Sequence, residues 1–369
     1  MNFLIPTLRK PLILLKKMDV FSKIQAGERI TPQECYTLWN APLHKVAMAA
    51  NARMCRVSGN TEVGYVVNRM INYSNICKAR CKFCAYHAKA GIVPSFRMSD
   101  DEIFNACADA VAKGGVQIML QGGLHPDFVL AWAEKIIRRI KDAFPNLWIH
   151  AFSPSEVVWF ARSENVSIAD AVKRLKSAGV DSIPGAADLL VPSIRTRLCG
   201  NKCTVDEWIS VMRALAENAM TSSATMTFGM GETLEERIEH LDVIRKVQDE
   251  TGVFKAFIAW PVAPENTEIE GTVERVGSPE FLRMLAIGRI YLDNVRYVQS
   301  GWLTEGLKSA EIALLFGAND VGGVLMDEMV VRAAGIDNRA TPENMRRTIR
   351  NAGFIPRERD GLYNTIKVF

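Results

Sequence analysis

From about residue 62 onward, the chain alternates short apolar runs rich in β-branched residues with longer segments whose apolar residues recur every three to four positions. The short runs predict buried strands, and the longer segments predict amphipathic helices. Their alternation is typical of βαβ units in a parallel sheet. The predicted strands are Val63–Ile71, Val116–Gln121, Leu147–Phe152, Asp181–Ile183, Thr221–Phe228, Phe254–Trp260, Tyr297–Trp302 and Val321–Met326.

Helix starts between these strands are marked by capping boxes, in which a serine or threonine is followed three residues later by a glutamate. The pairs are Ser99 with Glu102, Thr204 with Glu207, and Thr233 with Glu236. Eight strand–helix repeats predict a protein of the α/β class, a closed (β/α)8 TIM-type barrel. A doubly wound open sheet is the structural alternative.

The barrel is expected to carry additions at both ends of the chain. We predict an N-terminal arm and helical extension over residues 1–60, the barrel over 61–330, and a C-terminal helical segment packed on it over 331–369. Residues 1–17 are too short to span a bilayer and lack a small-residue cleavage site. We interpret them as a flexible arm, or Met18 as an alternative start.

Composition and charge exclude several classes of protein. With 48% hydrophobic and 23% charged residues, the chain is an ordinary globular protein. A net charge of +4 without a block of Lys or Arg argues against a nucleic-acid surface and allows only a weak preference for an anionic small substrate. Eight cysteines in 369 residues are too few for a disulfide scaffold, which favours a reducing cytoplasm.

Three of these cysteines lie on one short loop directly after the first predicted strand. Cys77, Cys81 and Cys84 have the spacing C-x3-C-x2-C, and Tyr86 follows them. A [4Fe-4S] cluster normally takes four cysteine thiolates, so three would leave one iron open to a small molecule.

Zinc is the weaker interpretation of this loop. A structural zinc site needs four closed ligands, and the next candidates, His87 and Cys107, belong to no Cys-x2-Cys pair. Cys199 and Cys203 form a second C-x3-C pair that has no third or fourth ligand nearby, so we interpret them as ordinary thiols.

The cysteine loop with its following aromatic residue resembles the signature of radical S-adenosylmethionine enzymes. In that family the open iron binds the amino and carboxylate groups of S-adenosylmethionine, and one electron from the cluster releases a 5′-deoxyadenosyl radical. The resemblance implies a [4Fe-4S] cluster held by Cys77, Cys81 and Cys84, S-adenosylmethionine as the second cofactor, and a reducing electron donor such as flavodoxin or ferredoxin.

Further cofactor contacts are expected at the carboxyl ends of the strands, where active sites of such barrels lie. By the resemblance, Tyr86 would lie near the adenine, and Gly122 and Gly123 would let the backbone approach the methionine amino group. The segment Ser153, Ser155 and Glu156 offers partners for a ribose, although it is equally a plain helix start.

The likeness extends over nearly the whole chain and narrows to one subgroup. The matching motifs are Asn72–Cys77, Gln121–Pro126, His150–Glu156, Asp181–Gly185, Ala224–Gly229, Glu235–His240, Gln248–Gly252, Phe257–Pro261 and Gly317–Asp320. They resemble the futalosine and FO-synthase subgroup, and several segments are most similar to its dehypoxanthine futalosine cyclases. The resemblance implies hydrogen abstraction from the ribose of dehypoxanthine futalosine, followed by cyclisation, in menaquinone biosynthesis. Aminofutalosine synthase or FO-synthase-like activity, a diverged paralogue, and a non-catalytic iron–sulfur or zinc barrel are the alternatives.

The substrate implied is a carboxylate-bearing small molecule derived from a nucleoside. Arg195 and Arg197 are candidates to pair with its carboxylate, because a guanidinium matches a carboxylate in geometry. Candidates for the base that removes a proton are Asp188, Glu156 and His125, and the sequence does not choose among them. Further substrate contacts are expected from Asp188, Trp260 and Asn319. Gly185–Asp188 and Met230 depart from the family pattern, which puts the substrate in question.

Overall fold

The structure is a computed structural model that describes residues 18–59, 61–89 and 92–369. The predicted arm over residues 1–17 lies outside the described residues. Within them, the strands are β1 (Glu62–Val66), β2 (Asn68–Asn72), β3 (Gln117–Gln121), β4 (Trp148–Ala151), β5 (Ser182–Ile183), β6 (Thr221–Phe228), β7 (Phe254–Pro261), β8 (Tyr297–Gln299), β9 (Asp320–Gly323), β10 (Ile355–Arg359) and β11 (Thr365–Val368).

The helices are α1 (Val20–Ala26), α2 (Pro32–Asn40), α3 (Leu43–Ser58), α4 (Asp100–Ala112), α5 (Leu130–Ala143), α6 (Pro154–Ser163), α7 (Ile168–Ala178), α8 (Pro192–Leu198), α9 (Val205–Glu217), α10 (Leu234–Thr251), α11 (Ser278–Tyr291), α12 (Trp302–Ala313), α13 (Val330–Ala333) and α14 (Pro342–Asn351). The three capping boxes predicted at Ser99, Thr204 and Thr233 are all present, at the starts of α4, α9 and α10. A serine or threonine oxygen there accepts a backbone N–H that the helix itself cannot satisfy.

Strands β2 to β9 form a parallel ring in chain order. The ring closes where the chain beyond β9 runs beside β2. There the Met70 amide donates to the carbonyl of Met326 at 2.9 Å, and the Met326 amide donates to the carbonyl of Asn68 at 3.2 Å. The prediction of an α/β TIM-type barrel is therefore confirmed, and the open-sheet alternative is excluded.

The first predicted strand is divided into two parts at Val67. β2 belongs to the ring, whereas β1 extends beyond its amino end and pairs in parallel with β9 and β10. Helices α1–α3 pack outside the ring. Arg283 of α11 fixes them by donating to the carbonyls of Ala41 at 2.7 Å and Leu38 at 3.2 Å.

The C-terminal segment is not only helical, as the sequence pattern suggested. It contains α13 and α14, but it ends in an antiparallel hairpin of β10 and β11. The buried residues of β10 are Pro356, Arg357 and Arg359, and every residue of β11 is exposed. β10 has no alternating apolar residues, and Ile366 and Val368 of β11 alternate over four residues only, so hydrophobic periodicity gave little signal for the hairpin.

Candidate active site

A cavity of about 350 Å³ occupies the inside of the barrel. TIM barrels are usually filled by layers of branched apolar side chains. Here many of the lining residues are polar: Asn68, Gln117, Gln121, His150, Ser182, Ser223, Thr225, Thr227 and Gln299. The barrel interior is therefore a binding chamber with hydrogen-bonding walls rather than a packed core.

The cysteine loop follows β2 and lies at the carboxyl end of the barrel. Cys84 lines the cavity, and Cys77 and Cys81 pack around Leu124 of the next strand-end loop. The Leu124 amide donates to Cys77 Sγ at 3.3 Å. The amide of Cys84 donates to the carbonyl of Cys81 at 3.2 Å, so the last two cysteines share one turn.

Gly123 is required by the close approach of two backbone segments. An added Cβ at Gly123 would lie 2.3 Å from the carbonyl oxygen of Ile76 and 2.8 Å from Cys77 Cβ. At Gly122, an added Cβ would meet the Tyr73 ring at 2.4 Å. The glycine pair therefore brings the β3 loop into contact with the cysteine loop.

The chemistry of the donors fits an iron–sulfur cluster. All cysteines among the described residues are free. Burial raises the pKa of Cys81 and of Cys84, so bound cations are needed to hold these sulfurs as thiolates. Among residues 18–59, 61–89 and 92–369, no three His, Cys, Asp or Glu side chains are grouped as ligands of a single metal ion would be.

Two buried oxygen atoms beside the cysteine loop fit a bound polar molecule. Tyr86 Oη and Glu328 Oε2 have no hydrogen-bond partner within the described part of the chain. Glu328 lines the cavity, and burial raises the pKa of its carboxyl. Buried polar atoms are normally hydrogen-bonded, so a ligand that reaches this end of the cavity would supply the missing hydrogen-bond partners of both oxygens.

Glu156 lies behind the glycine pair and does not line the cavity. Its Oε1 accepts from the Tyr73 hydroxyl in a short contact and from the Gly122 amide at 3.2 Å. The side chain is almost fully buried, which raises its pKa to about 7. Its position is that of a support for the glycine loop.

Three other predicted residues have local structural partners instead of facing the cavity. His125 Nδ1 accepts from the Asp127 amide at 3.0 Å. Ser153 caps α6 by accepting from the Glu156 amide at 3.2 Å, and Ser155 Oγ contacts Cys203 Sγ at 3.2 Å. None of the three predicted residues lines the cavity among the described residues.

Asp188 is the candidate base that the structure brings into the cavity lining. Its carboxylate is 2.6 Å from Lys202 Nζ and 3.7 Å from Arg195 Nη1. Arg195 is also buried and donates to the carbonyls of Ala187 and Cys203. Its guanidinium is thus already occupied, and it is not in the cavity lining.

The remaining predicted contacts divide between the cavity and the framework. Trp260 lines the cavity near the end of β7. Arg197 is exposed and donates to the carbonyl of Gly231 at 3.1 Å. Asn319 precedes β9 at the opposite, amino end of the barrel, where its Oδ1 accepts from Arg289 Nη2 at 2.7 Å and from the Val298 amide at 2.8 Å.

Sequence reasoning missed Lys202, Glu328, His150 and Tyr363 as lining or supporting residues. Lys202 lies between Cys199 and Cys203, where the C-x3-C spacing draws attention to the thiols and not to the lysine. His150 belongs to the motif His150–Glu156, and its alternation with buried residues along β4 is the signal that predicts an inward side chain. For Glu328 and Tyr363, which lie in the irregular C-terminal part, no spacing signal exists.

Comparison with known proteins identifies the family. The family described as "Radical SAM superfamily" matches residues 71–244, and the family described as "CofH/MqnC C-terminal region" matches residues 251–368. Cyclic dehypoxanthine futalosine synthase of Streptomyces coelicolor is 40% identical over 354 residues, which cover 95% of this chain and 88% of that protein. The chain belongs to the radical S-adenosylmethionine superfamily. Members use a [4Fe-4S] cluster with S-adenosylmethionine, and the predicted cofactors and enzyme class are confirmed.

Other relatives of this radical S-adenosylmethionine enzyme agree with the predicted subgroup. Cyclic dehypoxanthine futalosine synthase of Halalkalibacterium halodurans is 35% identical over 93% of each chain. A 5-amino-6-(D-ribitylamino)uracil–L-tyrosine 4-hydroxyphenyl transferase of Methanothermobacter thermautotrophicus is 34% identical over 96% of this chain and 97% of that protein. The predicted futalosine and FO-synthase subgroup is thereby confirmed.

Two solved structures of distant sequence share the fold. The hydrogenase maturase HydG of Carboxydothermus hydrogenoformans has a TM-score of 0.76 at 18% identity, covering 93% of this chain and 80% of that one. Methylornithine synthase has a TM-score of 0.68 at 17% identity, covering 90% and 95%. Within the described residues, no helix is both long and apolar enough to cross a membrane.

Proposed function

We propose that this radical S-adenosylmethionine enzyme converts dehypoxanthine futalosine into cyclic dehypoxanthine futalosine, a step of menaquinone biosynthesis. The observation that carries the proposal is the 40% identity, along almost the full length, to a protein named for that product. The polar cavity beneath the cysteine loop supports it, because a nucleoside-derived substrate needs hydrogen-bonding walls.

The residues at the mouth of the cavity hold the cofactors. Cys77, Cys81 and Cys84 would ligate the cluster, and the Gly122–Gly123 backbone with Tyr86 would bound the space for S-adenosylmethionine. When bound, the two cofactors supply an adenosyl radical that removes a hydrogen atom from the substrate ribose. Leu124 and Phe83 pack around the cysteine loop, so apolar side chains bound this part of the site.

Asp188 is the best-placed candidate to accept the proton that cyclisation releases. Of the three candidate bases, it alone is among the described residues that line the cavity. Its carboxylate lies 2.6 Å from Lys202 Nζ, and a carboxylate is one of the side-chain groups that serve as general bases. Glu156 and His125 are proposed instead to hold the strand-end loops in place.

The physiological setting follows the same proposal. The partners are a small carboxylate-bearing substrate and a low-potential electron donor such as flavodoxin or ferredoxin. No nucleic acid partner is proposed, and the location is the cytoplasm, where thiols stay reduced.

The test is the mass of the product. After anaerobic reconstitution, the protein with dithionite, S-adenosylmethionine and dehypoxanthine futalosine is expected to form 5′-deoxyadenosine and a product lighter than the substrate by two hydrogen atoms. An adduct that retains the adenosyl group would indicate aminofutalosine synthase. Coupling of tyrosine to 5-amino-6-(D-ribitylamino)uracil would indicate the activity named for the archaeal relatives.

A further inference from the structure

The turn of the C-terminal hairpin crosses the amino end of the barrel and forms the floor of the cavity. Arg359, Gly361 and Tyr363 line that floor. An added Cβ at Gly361 would lie 2.4 Å from ring atoms of Trp148, at the start of β4. The hairpin is therefore seated directly on the barrel, and its residues are part of the chamber.

His150 presents a fixed hydrogen-bond donor to this part of the cavity. Trp148 Nε1 donates to Ser182 Oγ at 2.8 Å, and Ser182 Oγ lies 2.7 Å from His150 Nδ1. Since the Ser182 hydroxyl has no other side-chain acceptor among the described residues, we assign its proton to the contact with Nδ1, which leaves the histidine proton on Nε2. Burial and the charge of Arg359 lower the pKa of His150 to about 3, which keeps the ring neutral.

Tyr363 presents a second donor. Its Oη accepts from Gln299 Nε2 at 3.0 Å, and its own proton has no acceptor among the described residues. The ring stacks on Tyr297 at a centroid distance of 4.2 Å, and Arg359 Cζ lies 3.7 Å from the centroid of the Tyr363 ring. Burial raises the pKa of this phenol to about 12, so it remains a donor at neutral pH.

The backbone at Tyr363 is held in an uncommon conformation. Its φ of 69° lies in the left-handed region, which costs free energy for a residue with a side chain. Asp320 compensates by anchoring the hairpin: Arg359 Nε and Nη2 donate to it at 2.6 and 2.8 Å. The position of the phenol is thus fixed by the fold before any ligand binds.

The floor also favours negative charge. The Arg359 charge is balanced by Asp320, but Lys255 lines the same cavity and has no carboxylate within 4.0 Å in the described part of the chain. An anionic group would provide the missing partner. The candidate arginines of the sequence analysis, Arg195 and Arg197, are occupied by backbone carbonyls outside the cavity lining.

We propose that the floor is a carboxylate subsite in which His150 Nε2–H and Tyr363 O–H donate to the benzoate group of the substrate, with Lys255 supplying positive charge. This proposal rests on the proposed function, whose substrate carries that carboxylate. It places the acid at the end of the cavity opposite the cysteine loop, and so directs the ribose toward the cofactors.

Binding of substrate without reductant tests the subsite independently of turnover. Affinities are measured calorimetrically, with the cluster and S-adenosylmethionine present, for dehypoxanthine futalosine and for its analogue with phenyl in place of benzoate. Tyr363→Phe and His150→Leu are each expected to weaken binding of the acid by roughly tenfold or more and that of the analogue by less than about twofold. Tyr297→Phe is the matched control, since it removes the same hydroxyl outside the cavity lining, and it should change neither affinity.

Equal losses for acid and analogue, or no loss in either variant, would overturn the subsite. A third ligand, 3-propionylbenzoate, separates this failure from that of the proposed function, because it carries the acid without the ribose. If it binds in a Tyr363-dependent way while the nucleoside neither binds nor reacts, the proposed function is wrong and the subsite stands. If neither acid binds the wild-type protein, both proposals fall.

Discussion

Replacing Glu156 with glutamine should make the protein less sensitive to rising pH. The carboxyl is about 1% exposed, and burial raises its pKa to about 7 from an ordinary value of 4.5. Glutamine keeps an oxygen that can accept from the Tyr73 hydroxyl and the Gly122 amide, but it cannot ionise. The variant therefore removes the buried charge while preserving the hydrogen bonds of the site.

The direction of the pH dependence follows from which state, folded or unfolded, loses the Glu156 proton at the lower pH. Below about pH 4.5 the glutamate is protonated in both the folded and the unfolded chain, and ionisation costs nothing. Between that pH and about 7 only the unfolded chain ionises, so the folded state loses stability as the pH rises. A difference of about 2.5 pKa units corresponds to roughly 3 kcal/mol, reached above pH 7.

The assay is urea unfolding of the cluster-free protein at several pH values between about 5 and 8, with wild type and variant compared at each. The stability of Glu156→Gln relative to wild type should increase by up to about 3 kcal/mol across this range. Glu239→Gln, which changes an exposed glutamate of α10, is the control and should show a constant difference from wild type. A constant difference for Glu156→Gln as well would refute the argument.

Two further substitutions test the supports of the site. Gly123→Ala should lower the free energy of unfolding by about 1–3 kcal/mol and reduce the iron bound per chain, because its Cβ would clash with Ile76 and Cys77. The control Gly277→Ala, whose added Cβ has its nearest contact at 3.7 Å, should keep full iron content. Full iron content in Gly123→Ala would contradict the close approach of the two loops. Lys202→Met should destabilise the protein by up to about 3 kcal/mol, because it leaves the buried Asp188 carboxylate poorly paired. In thermal unfolding, the double variant with Asp188→Asn should regain part of that loss. Strictly additive losses would show that the two residues are not coupled.

Much of the barrel could be predicted because most of its strands are short apolar runs and helices α4, α9 and α10 begin with capping boxes. Thr221–Phe228 was predicted with the bounds it has in the structure. The predicted strand Val63–Ile71 is two strands, β1 and β2, and the other predicted strands differ by a few residues at their ends. The hairpin of β10 and β11 could not be predicted, since its buried positions are held by Pro356, Arg357 and Arg359. What stabilises it is a buried ion pair with Asp320, a contact distant in sequence.

The candidate site, like the fold, could be predicted from the sequence only in part. The cysteine loop was found from its spacing, because cluster ligands must be cysteines at particular intervals, whereas the role of the glycine pair came from the family resemblance. Which carboxylate faces the cavity was not predictable. Asp188 and Glu156 both follow strand ends, and only the packing of the loops shows that Glu156 points behind the glycine pair while Asp188 lines the chamber.

The central claim is that three thiols on one loop hold a cluster that activates S-adenosylmethionine, and its most direct test is cleavage of that cofactor. The reduced, reconstituted wild-type protein is expected to form 5′-deoxyadenosine, and the variant with Cys77, Cys81 and Cys84 all changed to serine is expected to bind no cluster and form none. Cys55→Ser, in a helix outside the barrel, should behave as wild type. Undiminished formation of 5′-deoxyadenosine by the triple variant would contradict the account.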